Sequence, residues 1–229
     1  MVNLFFAIVS LLLLCACNPA GVRDERLVVM NKYFRDFASC CYDAEQIIQV
    51  KEIAGTNKAS IIFYEKDRTN TWNTTLPPMV AVVGKNGIAG YGNKREGDGK
   101  TPSGAFPLSL VFGYEEHIQT DMPYRMATER DFWIDDPQHP SYNKWVTNTA
   151  GAKSFEKMKR NDNMYKYGIV IDYNVNPTVT GNGSAIFFHV WIDENTPTTG
   201  CIALRETDII EIIKKLSPSK KPIALIVKE

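Results

Sequence analysis

From residue 46 to the C-terminus the chain is a succession of short runs rich in Ile, Val and aromatic residues, separated by turn-forming Gly, Pro and Asn. Short runs of this composition are typical of β-strands. They occupy residues 46–52, 60–64, 79–83, 106–114, 168–173, 185–191 and 222–227. Asn86-Gly87 predicts a tight hairpin turn. The predicted fold class is therefore mainly β, a β-sandwich or barrel-like domain with a few short helices.

Three segments have helical character. Residues 25–39 place apolar side chains at steps of three and four, which predicts an amphipathic helix. Further helices are predicted near residues 154–160 and at 207–216, where four isoleucines would face inward. Residues 115–165 are otherwise irregular, polar and aromatic. A stretch this long in a compact domain favours the wall or lid of a site over a plain connector.

The N-terminal segment is typical of a secretory signal. Residues 1–16 are almost wholly apolar and carry no charged side chain. The apolar run is too short to span a bilayer, which needs about 20 residues. The segment ends in Leu14-Cys15-Ala16-Cys17, which resembles a bacterial lipobox with Cys17 as the lipid acceptor. The alternative is an ordinary secretory peptide whose cysteine is incidental. Either interpretation predicts an exported protein of the periplasm or cell envelope, and the lipobox adds a membrane anchor.

Composition argues against several classes of function. Lys+Arg 26 against Asp+Glu 26 gives a net charge of +0, without the basic excess of a nucleic-acid binder. Five cysteines without a C-x-x-C pair favour neither a disulfide framework nor a zinc site. Asp135-Asp136 is more typical of a solvated turn than of metal ligands. We therefore expect no metal, no cofactor and no nucleic-acid partner.

Two pieces near the C-terminus carry the chemistry. His189 lies in an apolar run, and Gly200-Cys201 follows twelve residues later. Taken singly, a strand histidine or a lone cysteine is more often structural. Together they suit catalysis, because a cysteine nucleophile needs an imidazole to take its proton. A glycine before the cysteine permits a tight turn that exposes the sulfur and directs backbone N–H groups at a reacting carbonyl. The pattern predicts a Cys201–His189 pair in which the pKa of Cys201 is lowered.

This pattern resembles the YkuD-type L,D-transpeptidase family, in which a His is followed by Ser/Thr-His-Gly-Cys-Ile/Val-Arg and then Asn. The matching positions are His189, Thr198, Gly200, Cys201, Ile202, Leu204 and Asp208. Residues 94–106 resemble the family's K-x-x-G-D-G-x-T-P-x-G-x-F run. This stretch lacks the phosphate-loop pattern, and we expect it to be a structural loop beside the active site. The resemblance covers residues 60–228 and is greater to a divergent branch with Thr-x-Gly-Cys-x-Ala-Leu.

The chain departs from the usual pattern at three positions. Thr199 stands where the pattern has a second His, Ala203 where it has Arg, and Glu206 where Asn is common. His189 is therefore expected to be the sole imidazole base. Arg205, two residues beyond Ala203, is a candidate to replace the missing Arg. The candidate substrate-binding residues are Thr198, Thr199 and Arg205.

The resemblance implies a reaction and a division of roles. Residues 46–229 would form an L,D-transpeptidase catalytic domain, preceded by a tether and helix at 17–45. The domain would transfer acyl groups of peptidoglycan stem peptides through a thioester. Cys201 would be the nucleophile, His189 the proton donor and acceptor, and Gly200 part of the oxyanion turn. An amine acceptor would give cross-links, and water would give L,D-carboxypeptidase activity.

Two other functions stay open at this point. One is a non-catalytic cell-wall-binding lipoprotein that keeps the fold, which a buried Cys201 or a long distance from it to His189 would favour. The other is a cysteine peptidase or amidase with a different substrate, although papain-like enzymes carry the cysteine before the histidine. Tyr142, Trp145 and Tyr165 either line a peptide groove or form a satellite core.

Overall fold

The computed structural model describes residues 43–229, and its main element is a ten-stranded β-sheet. One α-helix, α1 (Glu206–Lys215), and a 3₁₀ turn, Pro218–Lys220, occur among these residues. The strands are β1 (Gln46–Glu52), β2 (Lys58–Lys66), β3 (Trp72–Thr74), β4 (Met79–Val82), β5 (Gly104–Gly113), β6 (Tyr124–Met126), β7 (Phe132–Ile134), β8 (Trp145–Val146), β9 (Phe155–Lys157), β10 (Tyr167–Ile171), β11 (Phe187–Val190), β12 (Ile202–Leu204) and β13 (Ile223–Val227).

The large sheet closes on itself. Its strands run in the order β1-β13-β5-β10-β11-β12-β4-β2, and β2 pairs back with β1. The two remaining strands of the sheet extend it at its margin, β3 beside β2 and β6 beside β5. Closure pairs the edges that an open sheet would expose. The predicted mainly-β class is confirmed in its barrel-like form.

Period-two alternation divides the apolar residues of the sheet between two clusters. One cluster takes residues from all eight strands of the closed ring, among them Phe63, Phe188 and Ile202, together with the buried side of α1. The other cluster includes Phe187 and Cys201 on the opposite face of β11 and β12. A small three-stranded sheet, in the order β8-β7-β9, contributes Trp133 to this second cluster. Part of residues 115–165 therefore covers one face of the sheet as a wall, whereas Met122 of the same stretch packs into the first cluster.

Most of the predicted elements are confirmed with ends shifted by a few residues. The predicted strands at 46–52, 60–64, 79–83, 106–114, 168–173, 185–191 and 222–227 correspond to β1, β2, β4, β5, β10, β11 and β13. The predicted helix at 207–216 is α1, in which Ile209, Ile212 and Ile213 are buried. A turn is present at Asn86-Gly87, where the Gly87 N–H donates to Gly84 O across 2.7 Å. It does not form a hairpin, because β4 pairs with β2 and β12.

The predicted helix at 154–160 is wrong. Residues 155–157 form β9, in which Trp133 pairs with Glu156 and Ile134 with Phe155 across from β7. The run contains good helix formers, but intrinsic helix preference is worth less than about 1 kcal/mol per residue. Pairing with a neighbouring strand and burial of Met158 outweigh it.

The signal peptide, the Cys17 lipidation site and the helix at 25–39 lie outside the described residues. So does nearly all of the 17–45 segment, and the division into domains stays a prediction. Between residues 43 and 229, no helix combines the length and apolar character that a membrane crossing needs.

Candidate active site

His189 and Cys201 reach the same cavity because β11 and β12 are parallel neighbours. His189 is the register partner of Ala203. Cys201 lies two residues before Ala203, so its side chain projects from the same face of the sheet. Both residues line a cavity of about 300 Å³ that opens to solvent.

The turn before Cys201 is fixed by hydroxyl groups. The Thr198 hydroxyl donates to the Cys201 carbonyl across 2.6 Å, and its oxygen accepts the Gly200 N–H across 3.1 Å. Gly200 has a φ of +155°, and a Cβ there would lie 3.1 Å from the Lys100 carbonyl oxygen. The predicted tight glycine turn is therefore present. The Gly200 N–H already donates to the Thr198 hydroxyl oxygen, so this hydrogen bond would have to break before the N–H could bind an oxyanion.

The glycine-rich loop at 94–106 packs directly against this turn. Thr101 is fully buried, accepts the Gly84 N–H across 2.9 Å and lies 3.4 Å from the Cys201 carbonyl oxygen. Lys94 is buried and pairs with Asp98 across 2.6 Å. The prediction of a structural loop beside the site is confirmed for residues 94–103, whereas residues 104–106 begin β5.

The Cys201 thiol is held in its protonated form. The side chain is 8% exposed, and Sγ donates to the Ala185 carbonyl oxygen across 3.2 Å. Burial raises the pKa of Cys201 to about 12, and the negative charge of Glu156 adds to the increase. The lowered pKa predicted from the sequence is therefore wrong for the resting protein. The reason is desolvation, which disfavours the thiolate.

His189 is likewise uncharged. Burial lowers the pKa of His189 to about 4, although the hydrogen bond to Val190 opposes this decrease. Nδ1 lies 2.8 Å from the Val190 carbonyl oxygen, which can only accept. The neutral ring therefore carries its proton on Nδ1 and presents Nε2 as an acceptor. The His189 imidazole packs edge-on against the Tyr165 ring, with the two ring centroids 5.3 Å apart.

A second stretch of chain completes the cavity with charged groups that sequence reasoning missed. Glu156, Arg160, Met164 and Tyr165 line it. Glu156 Oε2 accepts from Arg160 Nη1 across 3.2 Å and from the Tyr165 hydroxyl across 3.3 Å. Burial raises the pKa of Glu156, and the Arg160 charge partly opposes this. The sequence signal was indirect, since residues 115–165 were predicted to form a wall and Tyr165 was a candidate groove residue, but no motif marked Glu156 or Arg160.

Comparison with known families decides the identity of the fold. A model of the L,D-transpeptidase catalytic domain, YkuD, matches residues 52–224. The chain belongs to this family. Neither a curated protein nor a solved structure matches the chain. The family match spans the glycine-rich loop, both strands of the His189–Cys201 pair and the charged wall.

The L,D-transpeptidase assignment gives context to the predicted substrate-binding residues. Thr198 and Thr199 line the cavity, and Thr199 is exposed. Arg205 does not line it. The Arg205 guanidinium lies 5.9 Å from the Trp191 ring centroid, in a neighbouring cavity of about 550 Å³ that shares only Trp191 with the first. Ala203, in place of the family's usual Arg, lines the cavity next to His189.

The remaining candidates fall into two groups. Tyr165 lines the cavity, whereas Tyr142 is buried and donates to Glu96 across 2.5 Å. Trp145 donates to Asp131 across 2.7 Å and packs over Phe112 in the satellite core. Of the chain's three histidines, only His189 lines the cavity. Within residues 43–229 no group of three or more His, Cys, Asp or Glu side chains is arranged to hold a metal ion.

Proposed function

We propose that this protein is a peptidoglycan acyltransferase that works through a thioester on Cys201. The observation that carries the proposal is the shared cavity. A thiol from the turn before β12 and an imidazole on the adjacent strand β11 line one solvent-open cavity in a chain of the L,D-transpeptidase catalytic domain family. A catalytic cysteine requires such a partner, because the thiol must lose its proton as it attacks.

The first half-reaction begins from two neutral groups. Cys201 Sγ attacks the carbonyl carbon on the L-centre side of the scissile bond in a stem peptide, and His189 Nε2 takes the thiol proton as the C–S bond forms. The imidazolium then gives this proton to the nitrogen of the departing D-amino acid as the C–N bond breaks. The products are a thioester, a free amino acid and a neutral His189.

Electrostatics favour coupled attack and proton transfer over a preformed ion pair. At neutral pH a thiol with a pKa of about 12 and an imidazole with a pKa of about 4 both stay uncharged. For a thiolate–imidazolium pair in this cavity, the free-energy cost of desolvation would exceed the electrostatic attraction between the two charges. Substrate contacts must supply the stabilisation at the moment of attack.

The second half-reaction decides the physiological outcome. If the acyl acceptor is an amine of a neighbouring stem, the product is a cross-link. If the acceptor is water, the stem is shortened, which is L,D-carboxypeptidase activity. An amidase acting on another substrate would use the same thioester.

A non-catalytic wall-binding role is the second candidate, and one observation favours it. Cys201 is almost fully buried and its pKa is raised, as expected of an inert structural thiol. Against this, the residue lines an open cavity together with the only imidazole there.

We also propose that the protein is an exported lipoprotein anchored through Cys17. The support is the sequence Leu14-Cys15-Ala16-Cys17 after an uncharged apolar run. Peptidoglycan lies outside the cytoplasm, so an export signal fits the proposed substrate.

The deciding experiment is mass spectrometry of purified muropeptides incubated with the mature protein. Acyl transfer predicts a covalent adduct on Cys201, loss of the terminal D-amino acid, and either cross-linked or trimmed products. Cys201→Ala should abolish all three, whereas Ser109→Ala, on an exposed residue outside the cavity, should not. Muropeptide binding by the wild-type protein and by Cys201→Ala, without turnover by either, would instead establish the non-catalytic role.

A further inference from the structure

One carboxylate oxygen of Glu156 accepts no hydrogen bond from residues 43–229. Both hydrogen bonds to this carboxylate, from Arg160 and Tyr165, end on Oε2. Within the described part of the chain no donor reaches Oε1. The side chain is 26% exposed, and it lines the cavity that holds Cys201 and His189. A carboxylate oxygen that is partly desolvated and lacks a donor gains from a ligand that brings one.

The carboxylates around Glu156 outnumber the one guanidinium that lines the cavity with it, and this balance favours a cation as that ligand. Arg160 pairs with Asp162 across 2.7 Å as well as with Glu156 across 3.2 Å, so two carboxylates share one guanidinium. Asp135 adds a further negative influence on Glu156. Asp162 and Asp135 do not line the cavity, which leaves Glu156 as the carboxylate that a ligand can reach. The chemistry of this wall therefore suits an ammonium group.

The second half-reaction of the proposed function requires a base that removes a proton from the incoming amine. An amine with a pKa of about 10.4 arrives protonated at neutral pH and cannot attack a thioester in that form. His189 is a weak base, because burial lowers its pKa to about 4. Glu156 is a stronger base than an ordinary carboxylate, since burial raises its pKa.

We propose that Glu156 binds the ammonium group of the acyl acceptor and takes its first proton. This inference rests on the proposed function and extends it. It makes Glu156 a catalytic residue of the second half-reaction.

The step balances without an added reactant. The acceptor R–NH₃⁺ gives one proton to Glu156 and becomes R–NH₂. Its nitrogen attacks the thioester carbon, the C–N bond forms and the C–S bond breaks. The second nitrogen proton passes through His189 to the departing sulfur, which restores the thiol. Glu156 is left neutral, no longer attracts the product and returns its proton to solvent.

The test compares two acceptors with one acyl donor, a synthetic stem tetrapeptide. Ethanolamine is a charged primary amine at neutral pH, whereas hydroxylamine is uncharged there and needs no proton removed before attack. Release of the terminal amino acid reports acylation, and mass spectrometry reports each acyl-transfer product. We expect Glu156→Gln to lower the ethanolamine product about 10²-fold or more, the cost of a lost general base. Acylation and the hydroxylamine product should not fall below the wild-type level, because loss of the Glu156 charge lowers the pKa of Cys201.

The matched control is Asp162→Asn. It removes the same charge from the same guanidinium outside the cavity, and it should leave both products unchanged. Equal ethanolamine transfer by wild type and Glu156→Gln would overturn the inference. An equal loss with hydroxylamine, or a loss of acylation, would also overturn it, because Glu156 would then serve the fold or the first half-reaction. Absence of acylation by the wild-type protein would refute the proposed function itself, and the inference with it.

Discussion

The thiol of Cys201 donates its hydrogen bond to the backbone carbonyl of Ala185 across 3.2 Å. Ala185 has a φ of +53°, an uncommon conformation for a residue with a Cβ. Its N–H donates to the buried Asn143 side chain across 3.1 Å, which helps to hold this geometry. In the resting protein the thiol proton is therefore directed at a carbonyl. The proposed attack by Cys201 would require the thiol to turn from Ala185 towards His189.

Alkylation of Cys201 should be slow at neutral pH. The raised pKa of about 12 means that thiolate accumulates only in strong alkali. We expect iodoacetamide labelling of Cys201, followed by peptide mapping, to accelerate with rising pH and to show no inflection between pH 5 and 8. A denatured sample is the control and should label faster at neutral pH. Rapid labelling of the folded protein with an inflection near neutrality would instead indicate a thiolate–imidazolium pair.

Burial of neutral His189 should make the free energy of unfolding depend on pH. The pKa of His189 is about 4 in the folded chain and has its ordinary value of 6.5 in the unfolded chain, so between these pH values only the unfolded chain binds the proton. Stability is therefore fully retained above pH 6.5 and is lost as the pH falls towards 4, by on the order of 3 kcal/mol in total.

Denaturant unfolding at several pH values measures this dependence. His189→Gln should flatten the slope between pH 6.5 and 4, because glutamine does not titrate. His117→Gln, at an exposed position, should keep the wild-type slope. The same slope in wild type and His189→Gln would contradict a buried neutral imidazole.

His189 should be as necessary for turnover as the nucleophile it serves. We expect His189→Ala to lower kcat by on the order of 10²–10⁴. The double variant with Cys201→Ala should be no worse than Cys201→Ala alone, because members of one catalytic unit are strongly non-additive. His139→Ala is the control, since His139 does not line the cavity. Near-wild-type turnover of His189→Ala would refute the pair.

Gly168→Ala should destabilise the packing around β10, the strand between β5 and β11. Gly168 is the register partner of both His189 and Phe112, and a Cβ there would lie 2.1 Å from Phe112 Cζ. The Phe112 ring packs edge-on against Tyr165 and would have to shift. We expect a loss of about 1–3 kcal/mol in unfolding free energy, as in other overpacked cores. Gly90→Ala, where the nearest atom is a side-chain nitrogen at 3.2 Å, should cost much less.

Lipidation predicts the behaviour of the full-length chain in cells. If Cys17 carries lipid, the protein should fractionate with membranes and Cys17→Ser should release it, since stable anchoring needs two acyl chains or an added signal. Mass spectrometry of the N-terminal peptide measures the modification directly. Equal membrane binding of both proteins, with an unmodified N-terminus, would contradict the lipobox interpretation.

The sequence predicted the parts of the molecule that depend on neighbouring residues. Strand positions such as β1 and β13 follow from local runs of Ile and Val, and the helix at 207–216 follows from its apolar spacing. The His189–Cys201 pair and the Gly200 turn were also visible, because each is a short motif. The helix predicted at 154–160 was wrong because β7, more than twenty residues earlier, pairs with that run.

What only the tertiary structure decided is the chemical state of the site. From the sequence alone, a cysteine beside a histidine suggested an activated thiol. In the folded chain, Tyr165, Glu156 and Arg160 enclose the pair from a stretch that no motif connects to it. Desolvation then keeps both the thiol and the imidazole uncharged, and the Glu156 carboxylate further disfavours the thiolate. A sequence determines which groups are present, but their protonation depends on how much water and which charges the packing leaves around them.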